Sequence, residues 1–426
     1  MARLQDLLDI LTLRGCVGAA ELRTALGASA PTLSRLVAFA GPNVVRFGKG
    51  RATRYGLLRN VGARSARLPV YRIDEGGAAA QVAVLSPIFH GTWVEDLTRG
   101  RGHLHAGLPP VVVDMTPAGY LGRRFAERHA GLELPPRLGD WNDDHRLLAL
   151  ARRGEDAPGD LIIGVESLER HANGRPAEAR DRDYPRLAEL SAAGGAGSSA
   201  AGEQPKFAAH RAGRHFLVKF TLGDGTPSDA RWRDLLVCEA LALDVLREAG
   251  VRASSARVVD AGARRFLEVE RFDRIGRAGR RGVLTLGPLD DDLFGARDSW
   301  TDAAARLVSA GLLGEADART IRLLEAYGIW IANGDRHFGN LAFFGDGLEE
   351  RPRLELAPAY DMLPMQAAPH AGVVPPLPVA KPPLDGRLLE VWSEAAELAA
   401  VFWARVAKDP RVTAPFRRSA ALLARR

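Results

Sequence analysis

The chain has 426 residues, 46% of them apolar and 26% charged, with a net charge of +6. This length and apolar content suit two or three folded domains and exclude a disordered chain, while two isolated cysteines, Cys16 and Cys238, exclude a disulfide scaffold or a cysteine-rich zinc site. The first residues are charged where a signal peptide would be apolar, and no apolar run is long enough to span a bilayer, so a cytoplasmic protein without membrane contact is expected.

The charge is uneven. Residues 1–60 contain nine Lys or Arg against three acids, so the whole excess of +6 lies there and the rest of the chain sums to zero. Leu4, Leu7, Leu8, Leu11 and Leu13 predict a first helix, Ala19 to Leu26 a second, and Ser29 caps a third that runs to Phe39. Val44–Phe47 and Thr53–Leu57, joined through Gly48-Lys49-Gly50, read as a two-stranded wing. The outline over residues 1–62 is that of a winged helix-turn-helix that binds duplex DNA. Lys49, Arg51 and Arg54 are placed for phosphates, with Ser29, Thr32, Ser34 and Arg35 nearest base edges. The alternative is a helical packing domain whose charge merely follows arginine-rich codon usage.

Residues 66–168 form a second segment that begins at Leu68–Ile73 and includes a strand over Gln81–Leu85 and a helix over Ala118–Phe125. It shows no chemistry, and His103, His105, His129 and His145 lack metal-ligand spacing, so a packing or partner surface is expected. The third segment, 169–426, opens with a stretch to residue 202, rich in Arg, Ala, Gly and Ser, that looks loop-like. Its small residues near 194–207 would let backbone approach phosphates. Next comes a strand, Arg214–Phe220, carrying Lys219, one of only five lysines in the chain. A strand lysine can meet a nucleotide phosphate as a compact point charge. The interval Ile275 to Arg281 reads as open loop.

The densest chemistry lies further on. Helical apolar spacing over Asp317–Ala332 delivers Asn333-Gly334-Asp335-Arg336-His337-Phe338-Gly339-Asn340. An Asp followed five residues later by an Asn has the spacing of a phosphoryl-transfer loop, in which the Asp takes the acceptor hydroxyl proton and the Asn holds Mg²⁺. A predicted hairpin, 341–344 with 353–356, then returns the chain so that Asp361 can join Asn340 as a second metal ligand. His337 either braces the loop or takes part in the chemistry. The proline-rich stretch Pro369–Pro383 is expected to skirt the C-terminal lobe.

Taken in order, these motifs resemble the HipA-like serine/threonine kinases of bacterial toxin–antitoxin systems. Ser199 to Phe207 is similar to that family's phosphate loop, Val218-Lys219-Phe220 to its lysine strand, and Cys238-Glu239-Ala240 to the helix that follows. Val269 to Arg274 resembles its hinge, and 333–340 with Tyr360-Asp361 its catalytic and metal loops. The resemblance implies an α+β, bilobal kinase fold behind a β-rich subdomain, with a hinge near 269–274 and a C-lobe over 276–426. It implies ATP and Mg²⁺ as cofactors. Asp335 would be the base and Asn340 and Asp361 the metal ligands. Nucleotide contacts would come from Ala201, Gly202, Glu203, Gln204, Lys206, Lys219, Glu270, Arg271, Phe272, Asp273, His337, Asn340 and Tyr360, with Ser199 as an autophosphorylation site. Implied partners are a protein substrate, an aminoacyl-tRNA synthetase being the family precedent, and an antitoxin. Simple members lack the first sixty residues, and the basic module in front resembles the YjjJ type of HipA-like protein; paired winged helices on a palindromic operator would make a homodimer. Two other readings stay open at this point: a small-molecule kinase of the aminoglycoside or choline type, and a transcriptional regulator that only senses nucleotide.

Overall fold

The structure, a computed structural model, describes residues 3–62, 64–65, 67–174, 176–192 and 204–425. Two compact units emerge, one of Met1–Asp74, Ala78–Ala118 and Gly122–Gly174, the other of Glu75–Gly77, Gly119–Leu121 and Arg175–Arg426. No described helix is long and apolar enough to cross a membrane.

In the first unit, three helices, α1 (Leu4–Arg14), α2 (Ala19–Leu26) and α3 (Ala30–Ala40), pack with strands β1 (Val17–Gly18), β2 (Val44–Phe47) and β3 (Arg54–Leu57). The strands form an antiparallel sheet in the order β1-β3-β2. Leu7, Leu11, Leu22, Leu33, Val44 and Tyr55 share one buried cluster, which fixes the helices against the sheet. Ser29 caps α3 by accepting the Thr32 N–H at 3.3 Å. Leu13, counted in the apolar face of α1, is 76% exposed. It stands two residues beyond Leu11 and so projects from the opposite side of the helix.

A five-stranded antiparallel sheet follows: β4 (Leu68–Ile73), β5 (Ala79–Ile88), β6 (Gly91–Asp96), β7 (Arg101–His105) and β8 (Leu161–Ile163), in the order β8-β4-β5-β6-β7. Helices α4 (Asp143–Arg153) and α5 (Val165–Asn173) also belong to it. The helix expected over Ala118–Phe125 is two short pieces, Gly119–Arg123 and Phe125–Arg128. Gly119 and Gly122 weaken the first, and Arg124 leaves helical geometry between them.

Residues on either side of position 62 belong to one compact unit and share contacts. Phe47 of the β2–β3 ribbon stacks on Trp93 of β6 with ring centroids 4.5 Å apart, and both lie in a buried cluster with Leu58 and Ile88. Leu58 forms a bridge with Ile88, and the Arg59 N–H donates to the Pro87 carbonyl at 2.9 Å. Gly56 permits this approach, because a Cβ there would lie 3.0 Å from the Ile88 side chain. The ribbon thus faces the helices with Val44 and Tyr55 and shares a second core with β5 and β6 through Phe47.

In the second unit, α6 (Tyr184–Ala192) precedes β9 (Lys206–Arg211), β10 (Arg214–Phe220), α7 (Pro227–Glu248), β11 (Ala256–Ala261) and β12 (Arg264–Glu270). The four strands form an antiparallel sheet in the order β9-β10-β12-β11. Leu236 and Ala240 of α7 pack on Leu267 and Val269. Residues 169–202 are therefore not all loop, since α5 ends and α6 lies within them. Tyr184 and Ala188 are buried in the sheet's core, and the Tyr184 hydroxyl bonds to Glu268. The interval after residue 273 is likewise not open: Arg274–Ile275 pairs with Gly279–Arg280.

Beyond it come β13 (Val283–Thr285), α8 (Leu286–Leu293), α9 (Trp300–Ser309), α10 (Glu315–Trp330), β14 (Ala342–Phe344), β15 (Glu355–Leu356), α11 (Trp392–Lys408) and α12 (Ala414–Leu423). Strands β13-β14-β15 form a small antiparallel sheet, with Phe343 opposite Leu356.

Candidate active site

Lys219 lies at the inner end of β10, where Val218 and Phe220 are fully buried on the sheet's other face and hold the strand in register. Its side chain is only 7% exposed. The ammonium reaches both carboxylate oxygens of Glu239, on α7, at 2.7 Å, and also bonds to Asp361 Oδ1. Burial by itself would pull the lysine pKa down, but Asp361 and Glu239 together raise it above its ordinary value. Burial pushes Glu239 upward, and Lys219 only partly opposes this. Asp361 behaves in the other way: burial pushes its carboxyl up, yet Lys219 and, behind it, Lys206 override that and hold it at about 2. A lysine between two acids is thus locked in its charged form.

The catalytic loop leaves the end of α10. Asp335 is half exposed, and the His337 imidazole places Nε2 3.9 Å from its Oδ1. His337 Nδ1 accepts the Gly339 N–H at 3.0 Å, which fixes the proton of a neutral ring on Nε2, facing Asp335. Asn340 donates its amide to the Asp335 carbonyl at 2.8 Å, closing the five-residue loop and leaving its own oxygen available. Tyr360 donates to the Gly339 carbonyl at 2.6 Å and packs on Phe272, ring centroids 5.6 Å apart. Asp361 follows with a left-handed φ of 53°.

Several expected residues therefore converge. Lys219 meets Asp361, Asn340 meets Asp335, and Phe272 meets Tyr360. Lys206 faces Lys219 across the β9–β10 ladder, where two like charges are costly unless acids or an anionic ligand lie between them. Gln204 donates to the Phe220 carbonyl, which fastens the chain entering β9. The other hinge side chains are already engaged: Glu270 pairs with Arg214 of β10 at 3.1 Å, and Asp273 accepts from Arg271 Nε and Nη2 at 3.0 Å each and from Arg274 at 2.6 Å. Ala201, Gly202, Glu203 and Ser199 lie outside the described residues. A cleft of about 770 Å³ is lined by Asp317, Phe344, Arg351, Arg353 and Glu355 among others and holds none of the groups around Lys219 or Asp335.

Glu239 was absent from the sequence-derived site. The signal was present: a lone acid inside Leu235-Leu236-Val237-Cys238-Glu239-Ala240-Leu241-Ala242-Leu243 must be buried and paired.

The residues expected to meet DNA lie in the first unit. Ser34, Arg35, Lys49, Arg51 and Arg54 are exposed, while Ser29 and Thr32 spend their hydroxyls on each other, 2.9 Å apart, at the α3 cap. No ion pair among the described residues engages Arg35, Arg46, Lys49 or Arg51.

Residues 64–172 match the family described as YjjJ-like toxin, middle domain, and residues 198–409 match the HipA-like C-terminal domain. The chain is 36% identical over 428 residues to Toxin YjjJ of Escherichia coli (strain K12), covering 97% of this chain and 95% of that protein. Among solved structures it is similar to a chain from the Shewanella oneidensis MR-1 toxin–antitoxin complex of HipA, HipB and operator DNA, with TM-score 0.52 and 15% identity over 84% of this chain and 96% of that one, a likeness of fold. By sequence over nearly its whole length, the chain belongs to the YjjJ-like toxin family, with a HipA-like C-terminal domain.

Proposed function

We propose that the protein is an ATP- and Mg²⁺-dependent kinase that phosphorylates serine or threonine on a protein substrate. The observation that carries this reading is the meeting of Lys219, Glu239 and Asp361 beside the Asp335–Asn340 loop. The donor set fits a nucleotide and its metal: Asp361 offers a carboxylate kept ionised at neutral pH, Asn340 an amide oxygen, and Lys219 a permanent positive charge. Bound Mg²⁺·ATP supplies the phosphoryl group and an electrophilic phosphorus. Lys219 orients the phosphates, and Glu239 keeps the lysine extended toward them. Asp335, half exposed and free of strong ion pairs in its shell, receives the acceptor proton. His337, with Nε2 3.9 Å from that carboxylate, braces the loop through its bond with the Gly339 N–H.

The first unit carries a winged helix-turn-helix that binds duplex DNA, in this reading. Three helices, a basic ribbon and unpaired exposed cations support it. Ser199 is the expected autophosphorylation site, where a phosphate would repel nucleotide phosphates and limit activity. The similar Shewanella structure is a complex of HipA, HipB and operator DNA, which makes an antitoxin and a two-fold operator complex of this chain reasonable proposals. Incubating the protein and its Asp335→Asn variant with labelled ATP and cell lysate tests the reading. Transfer to protein by the wild type alone supports it; turnover on small alcohols, or binding without turnover, favours the small-molecule kinase or the nucleotide-sensing regulator.

A further inference from the structure

Asn333, at the head of the catalytic loop, is only 1% exposed, and every polar group it owns is used. Its N–H donates to the Gly328 carbonyl of α10 at 2.8 Å, and its carbonyl accepts from Arg336 Nη1. In the side chain, Oδ1 accepts the Asp335 N–H at 3.0 Å, while Nδ2 donates to the Asp361 carbonyl at 3.4 Å and lies 3.9 Å from the Met362 sulfur. The Asp335 N–H requires an acceptor, so the amide orientation is fixed. One buried side chain thus bridges the backbone of Asp335 and the backbone of Asp361.

The residues on either side of this bridge are strained. Ala332, just before Asn333, has φ 59°, and Asp361 has φ 53°, both in the left-handed region that is unfavourable for a residue with a Cβ. Such conformations persist only where surrounding contacts determine them. The Ala332 carbonyl is held by the Gln366 N–H at 3.1 Å, and the Asp361 carbonyl by Asn333. We infer that Asn333 is a positioning residue that sets the spacing between the general base and the metal-binding carboxylate by holding Asp361 in its left-handed conformation. This rests on the kinase reading of the same site. Asn333 itself touches neither the acceptor nor the phosphates.

The test uses the full chain and binding in place of turnover. Affinity for a non-hydrolysable ATP analogue is measured with and without Mg²⁺ by titration calorimetry, together with the melting temperature. Asn333→Ala should leave the Mg²⁺-free affinity within about twofold and reduce the Mg²⁺-dependent gain about tenfold, the size of one lost hydrogen bond. Because Asn333→Ala also loosens the fold, it is repeated on Ala332→Gly, which relieves the left-handed strain at the preceding residue. The double variant should recover melting temperature but not the Mg²⁺-dependent gain. A folded double variant with a wild-type gain overturns the inference and leaves the kinase reading standing. A wild-type protein whose analogue affinity ignores Mg²⁺ overturns both.

Discussion

The two units hold their charges in opposite ways. On the first, Arg35, Arg46, Lys49 and Arg51 stand exposed with no acid beside them among the described residues. In the second, Lys219, Glu239 and Asp361 are packed together, the lysine 7% and the glutamate 0% exposed. Unpaired surface cations carry no folding role, lose little on contact with a polyanion and are strongly salt-dependent. Buried, mutually paired charges are costly to bring together and scarcely screened, which suits a site that must present fixed charge to a small anionic ligand. If the proposed function holds, the same residue types would serve association in one place and preorganisation in the other.

The largest break in this contrast is expected at Asp335. Asp335→Asn should lower phosphoryl transfer roughly 10²–10⁴-fold while leaving analogue binding and melting temperature near wild type, because the carboxylate is half exposed and structurally unburdened. Radiolabel transfer and calorimetry check both halves. Lys219→Ala should do the reverse in kind, destabilising the fold by about 3–5 kcal/mol by leaving Glu239 buried without its cation; denaturant titration measures it. If that variant were as stable as wild type, the buried cluster would be no more integral than the surface cations.

An intermediate effect sharpens the comparison from inside the first unit. Asp96, 2% exposed, is pushed up by burial but brought down to about 2 by hydrogen bonds from Thr98 and Arg99. Its folded pKa is below the unfolded one, so its contribution is complete above about pH 4 and is lost as pH falls toward 2. Asp96→Asn should cost about 1–3 kcal/mol at neutral pH and flatten the acid limb of a melting-temperature profile, with Asp361 still contributing in the same window. The smallest stability effect belongs to Lys49→Ala with Arg51→Ala, within about 0.5 kcal/mol. That pair should nonetheless weaken duplex binding alike on all sequences and reduce the salt slope by about two, measured by fluorescence anisotropy of the full chain. An unchanged slope would place the polyanion elsewhere.

Much of this was legible in the sequence where local rules suffice. The helix that delivers Asp335, the hairpin that returns the chain to Asp361 and the Lys219 strand follow from periodicity and turn chemistry, and α1 to α3 from caps and apolar spacing. What escaped depends on contacts distant in sequence. The α6 helix owes its place to Tyr184 meeting Glu268, 84 residues away, within a stretch whose composition suggests loop. The Arg274–Arg280 ribbon is permitted by Gly279, where a Cβ would fall 2.0 Å from the Glu75 carbonyl oxygen. The tie from Asn333 to Asp361 spans 28 residues and could not be seen from loop spacing. Nor did the sequence reveal that Phe47, an ordinary strand residue, belongs to a core completed by Trp93.

That shared core has a mechanical meaning. A reading head on a flexible tether searches a volume set by the tether's length, and its second contact forms at an effective concentration of order millimolar. Phe47, Leu58, Ile88 and Trp93 instead clamp the ribbon that carries the Lys49–Arg51 tip directly to β5 and β6. The ribbon and the sheet turn as a single lever. A partner of the sheet and a polyanion at the tip, as proposed, would be held at one distance and one angle, so insertions near residues 58–62 should spoil alignment long before they limit reach.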